Sequence, residues 1–224
     1  MTSIYGIIKD YYGSNQLAQQ LKDEEKRLGY VALNKLPGCQ IMANNPTSFA
    51  ALFKAFTTYV HSSGYTWNGS AGGGTGSPLL DGEKSTGECL MFARALSILA
   101  YAPKPYGLAL NKDDVNFTSY TGLNKKGFVS AHNTVLNLAA NVNGQALYVW
   151  ENHKVIAYQG RYYDPSYNKI YDDLRDMALY HILDTVDFGG VDYHQAERRG
   201  DTQGYWFKEQ PTGTYYGPSK RAPF

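Results

Sequence analysis

The stretch "STGECLMFARALSILAY", residues 85–101, decides how the chain is read. Ser85 and Glu88 fit a capping box, with Ser85 as N-cap and Glu88 reaching back. Cys89, Phe92, Ala93, Leu96 and Ala100 follow the i, i+3, i+4, i+7 spacing of a buried helix face. The "APKP" run that follows stops the helix. The spacing therefore predicts a helix from Ser85 to about Ala100, with Cys89 in its first turn. A thiol there sits in the positive end of the helix dipole, with N–H groups pointing toward it, and both effects favour the thiolate. The same N–H groups can receive an oxyanion when an acyl carbonyl is attacked. A free cysteine on an apolar helix face is also an ordinary core residue. Its partners decide between the two.

Upstream, "YTWNGSAGGGTGSPLLDGEK" is a long Gly/Ser-rich loop that delivers the chain to Cys89. Its "GGGTG" lacks the Gly-Lys-Ser/Thr of a phosphate loop. Before it, "NNPTSFAALFKAFTTYVHSSG" reads as a helix with Asn45 as cap and Pro46 in the first turn. Phe49, Leu52, Phe53, Phe56 and Val60 share its apolar face, and Gly64 lies beyond its end. "NQLAQQLKDEEKRLGY" spaces Leu17, Leu21 and Leu28 at helical intervals and stops at Gly29. Cys39, in "LPGCQIM", follows Pro-Gly with no capped helix and reads as structural. Two cysteines are too few for a disulfide scaffold in 224 residues, although a single Cys39–Cys89 bridge stays open.

Downstream, "AHNTVLNLAANV" is ambiguous between helix and strand. "QALYVW", "HKVIAY" and "RYY" are short β-type runs separated by Glu151-Asn152 and Gln159-Gly160. Two-residue separations predict an antiparallel meander with tight hairpins. "DDLRDMALYHILD" reads as a further helix, and from Val186 onward the chain reads as irregular strands and loops. Helices first and an antiparallel sheet after them make the fold class α+β. No internal repeat is visible.

A nucleophilic cysteine needs a base, and the base needs an orienter. The candidate bases are His61, His132, His153, His181 and His194. His153 opens "HKVIAY". A two-residue hairpin at Gln159-Gly160 sets Tyr158 opposite Arg161 and Val155 opposite Asp164. His153 then lies diagonal to Asp164, within reach of its carboxylate. Asp164 can hold one ring nitrogen and leave the other for a thiol. His132, in "SAHNTV", is the rival base. Asp-Pro at 164–165 also serves simply to start a turn.

"GECLMFARALSILA" followed by "NHKVIAYQGRYYDPSY" resembles the transglutaminase-like branch of the papain-fold cysteine enzymes. These pair a Cys at a helix start with a His and an Asp on adjacent strands, and "YYDPSY" is similar to the Asp-Pro-Ser/Thr that often carries the third residue. The resemblance covers roughly residues 85 to 170. Val155 stands where many members carry an aromatic residue. The resemblance implies N-terminal helices with the Cys helix packed on an antiparallel sheet. It also implies Cys89 as nucleophile, His153 as base and Asp164 as orienter. The oxyanion hole needs a donor besides the Cys89 N–H. Similar enzymes draw it from an upstream Gln or Trp, which points to Trp67.

These readings expect one domain over 1–224. Its parts are a helical portion and Gly-rich loop at 1–84, a catalytic core at 85–170 and an irregular Tyr-rich part at 186–224. The expected chemistry is amide hydrolysis (protease, amidase or deamidase) through a thioester. Alternatives are transglutaminase-type crosslinking, an effector or toxin met by an immunity-type protein inhibitor, and a non-catalytic binding module. The expected partner is a protein or peptide substrate. A formal net charge of +1 gives no electrostatic case for nucleic acid. The chain has no HExxH or paired Cys/His spacing for a metal, and no cofactor is expected. Its longest apolar run is far short of a membrane span, and "MTSIYGIIKDYYG" does not read as a signal peptide. The expected location is cytoplasmic, or outside the cell by a route without a cleavable signal.

Overall fold

The computed structural model describes residues 3–10, 16–67, 74–115 and 153–172 with their side chains. It describes the backbone of 116–120, 126–130, 140–142, 145–150, 182–187, 197–198, 205–208 and 215–216. The described residues form a mixed helix-and-strand α+β structure. In chain order the helices are α1 (Ile4–Lys9), α2 (Gln16–Leu28), α3 (Tyr30–Leu33), α4 (Pro37–Met42), α5 (Phe49–Ser62), α6 (Ser77–Leu80) and α7 (Cys89–Tyr101). Two short strands, β1 (Thr66–Trp67) and β2 (Thr86–Gly87), lie before α7.

α7 is the central element. Met91, Phe92, Ala93, Ala95, Leu96, Leu99 and Ala100 are all buried, so the helix is apolar round most of its circumference, with the half-buried Arg94 on its outer face. α1, α5 and α6 pack against it. α5 begins at the Ser48 hydroxyl, which accepts from the Ala51 N–H at 3.2 Å. The expected Asn45 cap is incorrect: Asn45 has φ 49°, a left-handed conformation outside any helix start. The predicted apolar face of α5 is buried, and Phe49 and Phe53 meet the edge of Tyr163 at 4.7 and 5.4 Å. Those aromatic contacts tie the helical half to the sheet.

That sheet has the order β3-β7-β8-β9, with β3 (Asn116–Tyr120), β7 (His153–Tyr158), β8 (Arg161–Asp164) and β9 (Lys169–Tyr171), all antiparallel. Tyr158 pairs with Arg161, as predicted. Gln159 and Gly160 both have positive φ, 48° and 76°, which is the backbone a tight two-residue hairpin requires. A second sheet has the order β10-β4-β6-β5, from β4 (Lys126–Ser130), β5 (Ala140–Val142), β6 (Gln145–Trp150) and β10 (Ile182–Asp187). β11 (Glu197–Arg198), β12 (Tyr205–Lys208) and β13 (Tyr215–Tyr216) form a third.

The structure corrects several expectations. The helix does not begin at Ser85. Thr86–Gly87 is strand β2, paired in parallel with β1, and the Thr66 N–H donates to the Ser85 carbonyl at 2.9 Å. Glu88 is the N-cap and makes no side-chain cap, so the capping box does not form. The three-strand meander also fails: β3, not β6, lies beside β7, and β6 pairs with β4 and β5. Cys39 lies inside a helix, α4, whose first residue is Pro37. Finally, the strand Ile182–Asp187 takes in residues 182–184 of the expected last helix; Asp172, its first residue, is in a bend, and 173–181 lie outside the described residues. In the ambiguous "AHNTVLNLAANV", Ala140–Val142 is strand and 131–139 lies outside them.

No helix among the described residues is long and apolar enough to cross a membrane.

Candidate active site

Cys89 is the first residue of α7 and is buried, 6% exposed. The later helix start thus puts the sulfur at the terminus itself, where the dipole acts most strongly. His153 is the first residue of β7 and Asp164 the last of β8. Strand alternation sets His153 and Val155 on one face and Ile156 on the other. Ile156 and its partner Tyr163 belong to the main core; Val155, equally buried, lies outside that cluster.

The hairpin brings His153 Nε2 within 2.7 Å of Asp164 Oδ2. The Cys89 thiol is hydrogen-bonded to the same imidazole. With Nε2 committed to Asp164, Nδ1 is the nitrogen left for the sulfur. Burial by itself would lower the pKa of His153. The charge and hydrogen bond of Asp164, and then Cys89, outweigh it and leave the ring pushed up to about 10. The partners of His153 thus favour its protonated form.

The other carboxylate oxygen is held by backbone. Asp164 Oδ1 accepts from the N–H of Ser166 at 3.0 Å and of Tyr167 at 3.3 Å. This is an Asx-type turn, and it explains "DPSY": Asp164 turns the chain with one oxygen and fixes the imidazole with the other. Tyr167 then returns edge-on to the His153 ring, with centroids 5.3 Å apart and planes at 82°. Sequence reasoning missed Tyr167. Its signal was its place in the quoted motif, three residues after Asp164. Ser166 Oγ is buried with no hydrogen-bond partner among the described residues.

Trp67 lies in β1 opposite Gly87, two residues before Cys89. The Thr66 and Thr86 hydroxyls, 2.8 Å apart, tie the same pair of strands. Cys89, His153, Asp164 and the Trp67 backbone position are thus gathered by β1–β2, the start of α7 and one hairpin. The rival base His132 lies outside the described residues, as do His181 and His194. His61 is exposed in the last turn of α5. Cys39 is half-buried, near Tyr5 Oη at 3.9 Å, and no disulfide joins it to Cys89. Among the described residues, no three His, Cys, Asp or Glu side chains form a group that could hold a metal. Chemically, the arrangement gathers a sulfur, an imidazole and a carboxylate. No protein-family model, curated protein or solved structure matches the chain.

Proposed function

We propose that the chain is a cysteine-dependent amide hydrolase of papain-like, transglutaminase-like fold, working on a protein or peptide through a thioester. One observation carries the reading. A buried imidazole is hydrogen-bonded to the Cys89 thiol on one side and to Asp164 at 2.7 Å on the other. Few structural roles need a histidine and a carboxylate sealed together beside a helix-terminal sulfur.

The chemistry follows from those positions. Cys89 Sγ, as thiolate beside the His153 imidazolium, attacks the carbonyl carbon of an amide. The carbonyl π pair moves to oxygen, and the Cys89 N–H and the Trp67 indole N–H are assigned as its donors. As the tetrahedral adduct collapses, the C–N bond breaks. The departing nitrogen takes the Nδ1 proton, leaving a thioester and a neutral imidazole. Water then adds to the thioester carbonyl while Nδ1 removes its proton. The C–S bond breaks, releasing the acid and restoring thiolate and imidazolium. Asp164 holds Nε2–H throughout, which fixes the tautomer and stabilises the charged ring.

A thiol-directed alkylating agent followed by intact-mass analysis tests this. Cys89 should react before Cys39, and His153→Ala should slow it. Peptide cleavage or ammonia release from an unfolded protein mixture should disappear in Cys89→Ala. Equal labelling of the two thiols, or activity that survives Cys89→Ala, removes the reading. Preferential incorporation of an added primary amine would replace hydrolysis by acyl transfer.

A further inference from the structure

A cavity of about 480 Å³ opens on the side of α7 away from the sulfur. Its walls come from the end of α1, the chain at Thr75 and Gly76, the outer face of α7 and the turn at Lys112–Asp114. At 3.6 residues per turn, Arg94 stands roughly 140° round the helix from Cys89. The cavity is therefore not the space in front of the proposed nucleophile. Three cations line it, Lys9, Arg94 and Lys112, against two carboxylates, Asp10 and Asp113.

Arg94 is the group that asks for a ligand. It is half-buried, and its Nη1 donates to the Gly74 carbonyl at 3.0 Å. Among the described residues no carboxylate is paired with it. Lys9, by contrast, is 3.8 Å from Asp10, and Lys112 sits over the Tyr101 ring at 5.0 Å. A guanidinium carries five N–H donors in a planar fork, which matches a carboxylate or phosphate edge. Ser97 and Thr75 add hydroxyls to the same wall.

We infer that this cavity, between the end of α1, the outer face of α7 and the Lys112–Asp114 turn, binds a small oxyanion, with Arg94 as its principal partner. The shared chemistry is a carboxylate or a phosphate group on a compact molecule. The site is independent of the acyl-transfer chemistry and stands whether or not Cys89 is a nucleophile.

Amide NMR spectra of the full chain, titrated separately with sodium phosphate, sodium acetate and sodium chloride at matched ionic strength, test it. Saturable shifts at Gly76, Ser97 and Ile98 with phosphate or acetate, absent with chloride, are expected. Which of the two saturates first tells phosphate from carboxylate. Arg94→Gln should weaken the apparent affinity roughly tenfold or more, the size expected for losing a charge-assisted pair. Lys112→Ala, at an exposed position, should weaken it less and leaves the fold intact if Arg94→Gln does not. Shifts that match chloride, or binding unchanged in both variants, overturn the inference.

Discussion

His153 Nε2 and Asp164 Oδ2 stand 2.7 Å apart, and the two residues are 1% and 0% exposed. A charge pair so enclosed is held by mutual compensation: either partner alone would be a costly buried group. Asp164→Ala should therefore destabilise the fold by about 3–5 kcal/mol, the range for breaking a buried pair from one side. Asp164→Asn keeps an acceptor and should cost less. It removes the charge that raises the His153 pKa, so activity should still fall by on the order of 10³-fold. Urea unfolding and amide hydrolysis, measured on both variants, separate the two effects. A wild-type rate in Asp164→Asn would take the orienter role from this residue.

The same pair sets a pH dependence. The folded-state pKa of His153 lies above its ordinary 6.5, at about 10. A raised folded pKa means the native state binds the proton more tightly than the unfolded chain does. The stabilisation is then complete below about 6.5 and lost as pH climbs toward about 10. His153→Gln removes the titration. The stability gap between wild type and His153→Gln should narrow steadily from pH 7 to pH 10 in denaturant melts. A gap that stays constant over that range would mean the ring does not carry the second proton.

Gly76 presses against the backbone of α7. A Cβ built there would lie 2.1 Å from the Ala95 nitrogen and 2.5 Å from its Cα. Backbone in the middle of a helix cannot yield as a flexible side chain can. Gly76→Ala should destabilise the protein by about 1–3 kcal/mol through overpacking. Thermal melts check it against Gly64→Ala. At Gly64 a Cβ meets nothing within 4 Å and only the positive φ of 69° is strained. Equal losses at the two positions would show that the close approach does not matter.

The hairpin that unites His153 and Asp164 was legible because its determinants are local. Two residues, Gln159 and Gly160, fix the turn, and the turn fixes the register. The α5 face was legible for the same reason: one helix period carries it. What failed depended on distant chain. Ser85 and Glu88 make a sound capping signature, yet a parallel pairing of Thr86–Gly87 with Thr66–Trp67, some twenty residues earlier, puts strand where the helix was expected to start. β6 follows the expected pattern for a partner of β7, but Asn116–Tyr120 occupies that edge instead. Tyr167 reaches His153 only because Asp164 bends the chain with its own side chain, a step that residue spacing does not encode.

Asp81 offers a test in which the usual carboxylate rule runs backward. Its Oδ1 accepts from the Tyr5 N–H at 3.2 Å, at the start of α1, while Oδ2 is buried with no partner among the described residues. Burial raises its pKa from 3.8 to about 6, and the hydrogen bonds it accepts offset only part of that. Because the folded value lies above the unfolded one, the native state prefers the protonated acid. Its favourable contribution is whole below about 3.8 and fades as pH rises to about 6. Asp81→Asn keeps an acceptor for Tyr5 and does not titrate. Relative to this variant, wild type should lose stability between pH 4 and pH 7, by on the order of 2 kcal/mol. Urea melts of both proteins at the two pH values measure the change. If the difference between them is the same at pH 4 and pH 7, Asp81 is solvated well enough to ionise freely, and the clip it makes on α1 is an ordinary helix cap.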